Sequence, residues 1–241
     1  MIDFSLNYGR HILDGFTRDL AARDPRRIVD LGAGQGYDLQ ICRRNLPGAE
    51  LHALESYPPN VGTLRSQGIR AVLHNLEKDA FPFEDDSVDL VVANQILEHC
   101  KELFWIFHEV SRVLKVGGHG YIGVPNLASL HSRVLLLLGR QPTCIRSASA
   151  HIRGFTKPDF VDFLQSCAPG LYSVRSVRGS NFYPFPPVIA KPLARLFPRA
   201  AATIFFVIRK EREYDSEFIR FPAGLETNYW VGAPKKAAVE A

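Results

Sequence analysis

The chain has 241 residues, 46% of them hydrophobic and 22% charged, enough apolar material to bury a globular core and far from the bias of a disordered or fibrous chain. Its net charge of +4 arises from Lys and Arg scattered among Asp and Glu, so the dense basic stripe of a nucleic-acid binder is missing and no nucleic-acid partner is expected. The four cysteines, Cys42, Cys100, Cys144 and Cys167, form no CxxC pair, which argues against a zinc site or a disulfide framework and for a reducing compartment.

The opening residues, MIDFSLNYGRHILDGF, are too polar for a signal peptide, and no later apolar run is long enough to span a bilayer. A cytoplasmic location is expected. Ile12, Leu13, Phe16 and Leu20 recur at helical spacing and predict a leading helix over 12–22. A short strand over 27–31 runs into a glycine loop, 32–36, and a helix over 38–45 stops at Pro47-Gly48. A second strand covers 51–54, Pro58-Pro59 opens a helix that reaches 67, and a third strand covers 69–73. The run VDLVVA at 88–93 is a fourth strand, apolar along its length because both faces of a doubly wound sheet are covered. Phe104, Phe107, Val110, Val113 and Leu114 mark a helix over 104–114 that Gly117-Gly118 would end, before a fifth strand over 120–124. Strand and helix alternate as a parallel α/β sheet requires.

The second half is less regular. Residues 126–139 read as a helix with a leucine-rich face, followed by a loop to 154. Thr156 can cap a helix running to 164, with Pro158 in its first turn where a missing donor is harmless. Two β-rich runs cover 171–177 and 203–208, joined by a proline-rich connection over 182–198 that reads as irregular. After Arg212 the chain reads as a tail with aromatic anchors at Phe218, Phe221, Tyr229 and Trp230. The expected division is a domain over 1–210, containing an inserted lid over 126–154, and a tail over 211–241.

The strongest chemical signal is Asp30-Leu31-Gly32-Ala33-Gly34-Gln35-Gly36. A strand ends, glycines let the backbone turn beside a ligand, and a helix starts with its positive end toward that ligand. A dinucleotide dehydrogenase would place its third glycine where this chain has Tyr37; here it arrives one residue early, with an acid two residues before the first. Glu55, followed by Ser56, ends the second strand, where a carboxylate can take both ribose hydroxyls of a nucleotide. An acid at that place is shared with NAD enzymes, so it points to a nucleotide without choosing one.

The pattern D-x-G-x-G-x-G resembles motif I of the class I S-adenosylmethionine (SAM)-dependent methyltransferases. Residues 75–92, from Asn75-Leu76 through Phe81-Pro82-Phe83 to Asp89-Leu90-Val91-Val92, resemble the D-L…LPF…D-x-S-F-D-L-V stretch of the ubiquinone-biosynthesis-type members. Leu97-Glu98-His99 and Val113-Leu114-Lys115-Val116-Gly117-Gly118 are similar to the L-E-H and L-K-P-G-G segments of the same family. The resemblance covers 27–126 and implies a Rossmann-like, doubly wound, seven-stranded, mostly parallel sheet with a lid inserted after strand five. It implies SAM as cofactor and S-adenosylhomocysteine (SAH) as product. Asp30, Gly32, Ala33, Gly34 and Gly36 would face the methionine part, Glu55 and Ser56 the ribose, and Asn75 and Leu76 the adenine, Asn75 standing where the family usually has Asp. Asn94 and Gln95, at the end of the fourth strand, would rim the cofactor and acceptor pocket.

Methyl transfer is an in-line displacement that depends on alignment, and a hydroxyl acceptor must also lose a proton. His99 and His151 are the candidate bases. No spacing of His, Cys, Asp and Glu indicates a metal site, although Glu98-His99 with an outside carboxylate could bind an ion adventitiously. The acceptor is expected to be a small molecule or a glycan. That expectation rests on the resemblance of Val124-Pro125-Asn126 and of residues 151–156 to a subgroup that includes enzymes of surface-polysaccharide and glycolipid pathways, and on Asn181, Phe182, Tyr183 and Phe185 as a wall for a ring. O-methylation leads, with N- or C-methylation of a natural-product or quinone-like substrate as the alternative. An NAD-dependent dehydrogenase and a non-catalytic SAM-binding partner stay as rival readings, and the oligomeric state is open.

Overall fold

The structure is a computed structural model that describes residues 3–225, so Tyr229 and Trp230 lie outside the described residues. Helix α1 (Arg10–Leu20) leads into β1 (Arg27–Leu31), α2 (Tyr37–Asn45), β2 (Glu50–Glu55), α3 (Pro58–Ser66) and β3 (Arg70–Leu73). Strand β4 (Val88–Asn94), α4 (Leu103–Val113) and β5 (Leu114–Pro125) follow, then α5 (Leu130–Leu137), α6 (Lys157–Cys167) and β6 (Tyr172–Ser180). The described chain ends with α7 (Pro187–Leu196), β7 (Thr203–Lys210) and α8 (Glu217–Arg220).

The seven strands form one sheet in the order β3-β2-β1-β4-β5-β7-β6, and β7 is antiparallel to both of its neighbours. Alternate residues of each central strand serve opposite faces. Ile28, Leu90 and Val92 pack with Leu13, Leu39 and Leu64 from α1, α2 and α3, whereas Val29, Val91 and Ala93 pack with Ile106, Phe160 and Phe218 from α4, α6 and α8. Two apolar faces explain why β4 carries no polar alternation.

The first half follows the expected elements to within a few residues. Gly117-Gly118, however, does not end a helix. Helix α4 stops at Val113, β5 starts at once at Leu114, and the two glycines sit in a bulge where the β4–β5 register slips. The 126–139 segment is helical only over α5, because Asn126 is held elsewhere. Its side chain donates to the Arg199 and Ala201 carbonyls at 3.0 and 2.8 Å and accepts from the Ala128 N–H at 3.0 Å. Asn126 also pairs with Phe155, so the segment between them leaves and rejoins the domain at one point. The proline-rich 182–198 connection contains a helix that the prolines conceal. Pro187 occupies its first turn, and Ala190 and Ala194, one turn apart, bury against β6. Gly179 on β6 permits that contact, since a Cβ there would collide with the Ala194 carbonyl and with Ala201. At the end of the described chain, Phe218 is fully buried beside Phe107, Phe163 and Tyr172.

The 75–87 segment has no regular structure and is fastened from outside, by Lys210 on β7 to Asp86 at 2.6 Å and by Arg112 on α4. Arg112 grips Glu109 at 2.6 and 2.9 Å and also donates to the Phe81 and Phe83 carbonyls at 3.0 and 2.8 Å. Glu109, only 1% exposed, in turn accepts the Phe81 N–H at 2.5 Å. Replacing Arg112 with Ala strands a buried carboxylate, and chemical denaturation should show a loss of about 3–5 kcal/mol. A loss below about 1 kcal/mol would assign the pair the weight of a surface bridge.

Candidate active site

The strand order reverses between β1 and β4, so their outgoing loops part and leave a crevice at the carboxyl edge of the sheet. The glycine loop lies on one side of it. Gly34 has φ of 54°, and a Cβ there would meet nothing within 4 Å, so the loop presents bare backbone to open space. Glu55, at the end of β2, braces this loop: Oε2 accepts the Gly34 N–H and Oε1 the Tyr57 N–H, both at 2.8 Å. A carboxylate has about four acceptor positions, so two remain for a ligand. Ser56 beside it is exposed.

Below the loop, Asp30 is 3% exposed, and its carboxyl is held well above the usual range, first by burial and then by the charges of Asp38 and Glu55. Asp38, in the first turn of α2, is paired with Arg10 at 3.0 Å and accepts from the Asn94 amide at 2.7 Å. The Arg10 guanidinium lies over the rings of Tyr8 and Tyr37, 4.5 and 4.7 Å from their centroids. Three carboxyl groups against one guanidinium, with Asp30 held toward its protonated form until a positive charge meets it, leave the crevice suited to a positively charged ligand. Sequence reasoning missed Arg10 and Asp38. Arg10 comes from a helix upstream of the motif and carries no local signal, whereas Asp38 lies two residues beyond Gly36 and was legible as a first-turn acid.

On the other side of Glu55, Leu76 is buried and Asn75 is exposed. The Asn75 oxygen accepts the Glu77 N–H at 2.9 Å, and its own N–H donates to Asp79 at 2.9 Å, so the side chain is folded into a local turn. One lone pair of that oxygen and the amide nitrogen remain for a ligand.

Beyond β4 the crevice opens into a cavity of about 420 Å³ under the 126–154 segment. Gln95 stands at the junction, with φ of 57° and a buried amide nitrogen that has no partner. Among the described residues, the polar lining includes Asn7, Asn126, Ser132, Thr143, Tyr183 and His151 and holds no Lys, Arg, Asp or Glu. Of the expected aromatic wall, only Tyr183 borders this space. Asn181 is buried and donates to Asn7 and to the Asp3 carbonyl, and Phe182 and Phe185 pack against α7.

The fold brings His99 and His151 together from distant parts of the chain. Their rings meet edge to face with centroids 4.7 Å apart, and Nδ1 of each faces a backbone carbonyl, of Ala150 at 3.2 Å and of Cys144 at 2.8 Å. Those contacts put the proton on Nδ1 and leave Nε2 of each ring with a free lone pair. The His99 pKa lies below its ordinary 6.5, chiefly because burial disfavours imidazolium and further because His151 is near. Glu98 sits against the pair. It is 1% exposed, Oε2 has no partner, and burial pushes its pKa up to about 8. Among the described residues, one ligand atom each from Glu98, His99 and His151 lie within 4.8 Å of one another, a grouping that their separation in the chain concealed.

A sheet in this order with a glycine loop at its switch point is the fold of the class I SAM-dependent methyltransferases. Residues 29–122 match the family model of a methyltransferase domain, the domain belongs to that class, and its cofactor is SAM. Malonyl-[acyl-carrier protein] O-methyltransferase of Halorhodospira halophila is 35% identical over 94 residues, 37% of this chain and 31% of that protein. Trans-aconitate 2-methyltransferase of a Mycobacterium species is 29% identical over 143 residues, 58% of this chain and 55% of that one. The chain thus spans about a third of the first of these relatives and about half of the second. The plantazolicin methyltransferase crystallised with SAH shares the fold, with a TM-score of 0.58 and 16% identity over 86% of this chain and 85% of that one.

Glu98 gives the site a pH signature. A carboxyl whose folded pKa is raised from 4.5 to about 8 costs stability as pH climbs through that window, because the unfolded chain releases its proton there while burial keeps the folded chain protonated. In EDTA, the melting temperature of the wild type should therefore fall relative to Glu98→Gln between these two pH values. Parallel melting curves across the window would show that Glu98 ionises freely.

Proposed function

We propose that the chain transfers the methyl group of SAM to a hydroxyl oxygen of a neutral, polar small molecule or glycan held in the cavity beneath the 126–154 segment. The observation that carries this reading is the lining of that cavity. The names of the two relatives point to acidic acceptors, which a site would ordinarily hold with Lys or Arg. Here the lining offers hydroxyls and amides instead, which match the donors and acceptors of a sugar or other polyhydroxylated ring.

In this reading Asp30 faces the ammonium of SAM, Glu55 the ribose hydroxyls and Leu76 the adenine, while Gln95 lies between cofactor and acceptor. The acceptor oxygen attacks the methyl carbon as the carbon–sulfur bond breaks, and sulfur keeps the electron pair in SAH. The hydroxyl proton leaves toward the Nε2 lone pairs of His99 and His151. Holding the three reacting centres in line supplies most of the acceleration, and removal of the proton adds about 10²–10⁴.

SAM binding is tested first. Glu55→Ala removes two charge-assisted hydrogen bonds to ribose, each worth about 1.5–3 kcal/mol, and calorimetry should show SAM and SAH binding at least about tenfold weaker. Gly34→Val should do more harm, since its side chain takes the open space above the loop and resists a positive φ. Unchanged affinity in both variants would move the cofactor out of this crevice.

The acceptor is tested with SAM labelled at the methyl group and matched panels of neutral glycosides and carboxylic acids. The expected product is a methyl ether, and a methyl ester, or methylation of nitrogen or carbon, would overturn the reading. Replacing His99 and His151 separately by Asn should lower turnover at least about tenfold in one of them. With His99 as base, kcat/KM should rise with pH through a midpoint below 6.5 and then flatten, as the neutral ring accumulates.

A further inference from the structure

We propose that Glu98, His99 and His151 form a binding site for one divalent first-row transition cation beside the acceptor cavity. The three donor atoms lie within 4.8 Å of one another, and bonds of about 2.0–2.2 Å call for them to draw only somewhat closer. Geometry alone would leave the cluster a chance meeting of side chains. Two further features point to a ligand.

The first is the orientation of the rings. A histidine that binds a metal through one nitrogen usually donates from the other to a carbonyl or carboxylate, which fixes its tautomer. Both rings satisfy this condition, with Nδ1 at the Ala150 and Cys144 carbonyls and Nε2 left bare. The backbone enforces the arrangement, because the Ile152 N–H donates to the Glu98 carbonyl at 2.9 Å and holds the His151 loop against the turn that carries Glu98 and His99. The second feature is the Glu98 carboxylate. It is 1% exposed, and Oε2 has no hydrogen-bond partner, an arrangement that costs folding energy unless a ligand meets it.

Two imidazoles and one carboxylate suit Zn²⁺, Co²⁺, Mn²⁺ or Fe²⁺ better than Mg²⁺ or Ca²⁺, which favour oxygen ligands throughout. Three protein ligands leave at least one coordination position open, and His151 already borders the cavity. If the acceptor is a hydroxyl, as the proposed function holds, its oxygen would take that position. The cation would then lower the hydroxyl pKa, and the proton would pass to solvent and not to a ring nitrogen. Only this role rests on the proposed function. The site itself rests on the donor set.

The test uses the full chain stripped with EDTA. Cobalt titrated into it should give visible absorption of a low-coordinate Co²⁺ site, and calorimetry with Zn²⁺ should give one ion per chain. Glu98→Gln and His151→Ala should each weaken both signals at least about tenfold. SAH affinity serves as the measure that each variant is folded and should not change. Absence of saturable binding in the wild type, or binding untouched by both substitutions, overturns the site. Methyl-ether formation at full rate by stripped, cation-free enzyme overturns the cation's activating role, while the hydroxyl reading survives with a histidine as base. Stoichiometric cation binding in a chain that proves to methylate nitrogen or carbon supports the site and defeats the hydroxyl reading alone.

Discussion

A parallel sheet with helices on both faces leaves only the carboxyl edge of its strands open to a ligand, and the reversal of strand order fixes the place along that edge. Here the reversal falls between β1 and β4. Backbone hydrogen bonds hold both sides of the crevice, from the Gly32 N–H to the Leu54 carbonyl and from the Gln95 N–H to the Gly123 carbonyl, each at 2.8 Å. The glycine loop is therefore tied to β2 and the Gln95 turn to β5. Glu55 adds a side-chain brace to the same loop, so a group placed to meet a ligand also sets the shape of its cradle.

The two halves of the crevice differ in charge, and the difference matters for catalysis. Among the described residues, Asp30, Asp38 and Glu55 surround the glycine-loop side with Arg10 to offset them. If SAM lies here, as the proposed function holds, such a field favours its positive sulfur over the neutral sulfur of SAH. It holds the cofactor more than it favours the transition state, in which that charge is already being lost, and interactions of this kind do not raise kcat. In the proposed reading, acceleration comes from alignment of the reacting centres and from the acceptor side, where His99, His151 and the unpartnered Gln95 and Glu98 atoms lie. The field also weakens the hold on SAH once transfer is complete.

Most of the first half was legible from the sequence because local pattern and tertiary role agree there. β1 was read with its observed bounds, since an apolar run ending in an acid and a glycine loop has few other interpretations. Legibility failed where a distant partner decides the local structure. Helix α7 was hidden behind its prolines, and it exists because Ala190 and Ala194 find a glycine on β6. Gly117-Gly118 looked like a helix stop and is a strand bulge, because Leu114 already pairs with Val88 on β4. Glu98, His99 and His151 show the same limit within the candidate site. Two are adjacent and the third follows some fifty residues later, so no motif spacing could have joined them.

That juxtaposition depends on how the 126–154 segment is moored. Asn126 and Phe155 form a bridge at its base, and Asn126 is pinned again by the Arg199 and Ala201 carbonyls. Between these ends the loop is held to the sheet's edge chiefly at the Glu98–His99 turn, through the Ile152 N–H and the Ala150 carbonyl. Residues that wall the cavity thus share their mooring with Glu98, His99 and His151, the residues that the proposed function places at the acceptor. A change in the loop's length or composition would reshape the cavity while leaving the cofactor crevice as it is. A change that lifted it from Glu98 would open the cavity and pull His151 from His99 at once. In the proposed reading, selection of the acceptor and its activation are in this way coupled to one another by connectivity and not by distance.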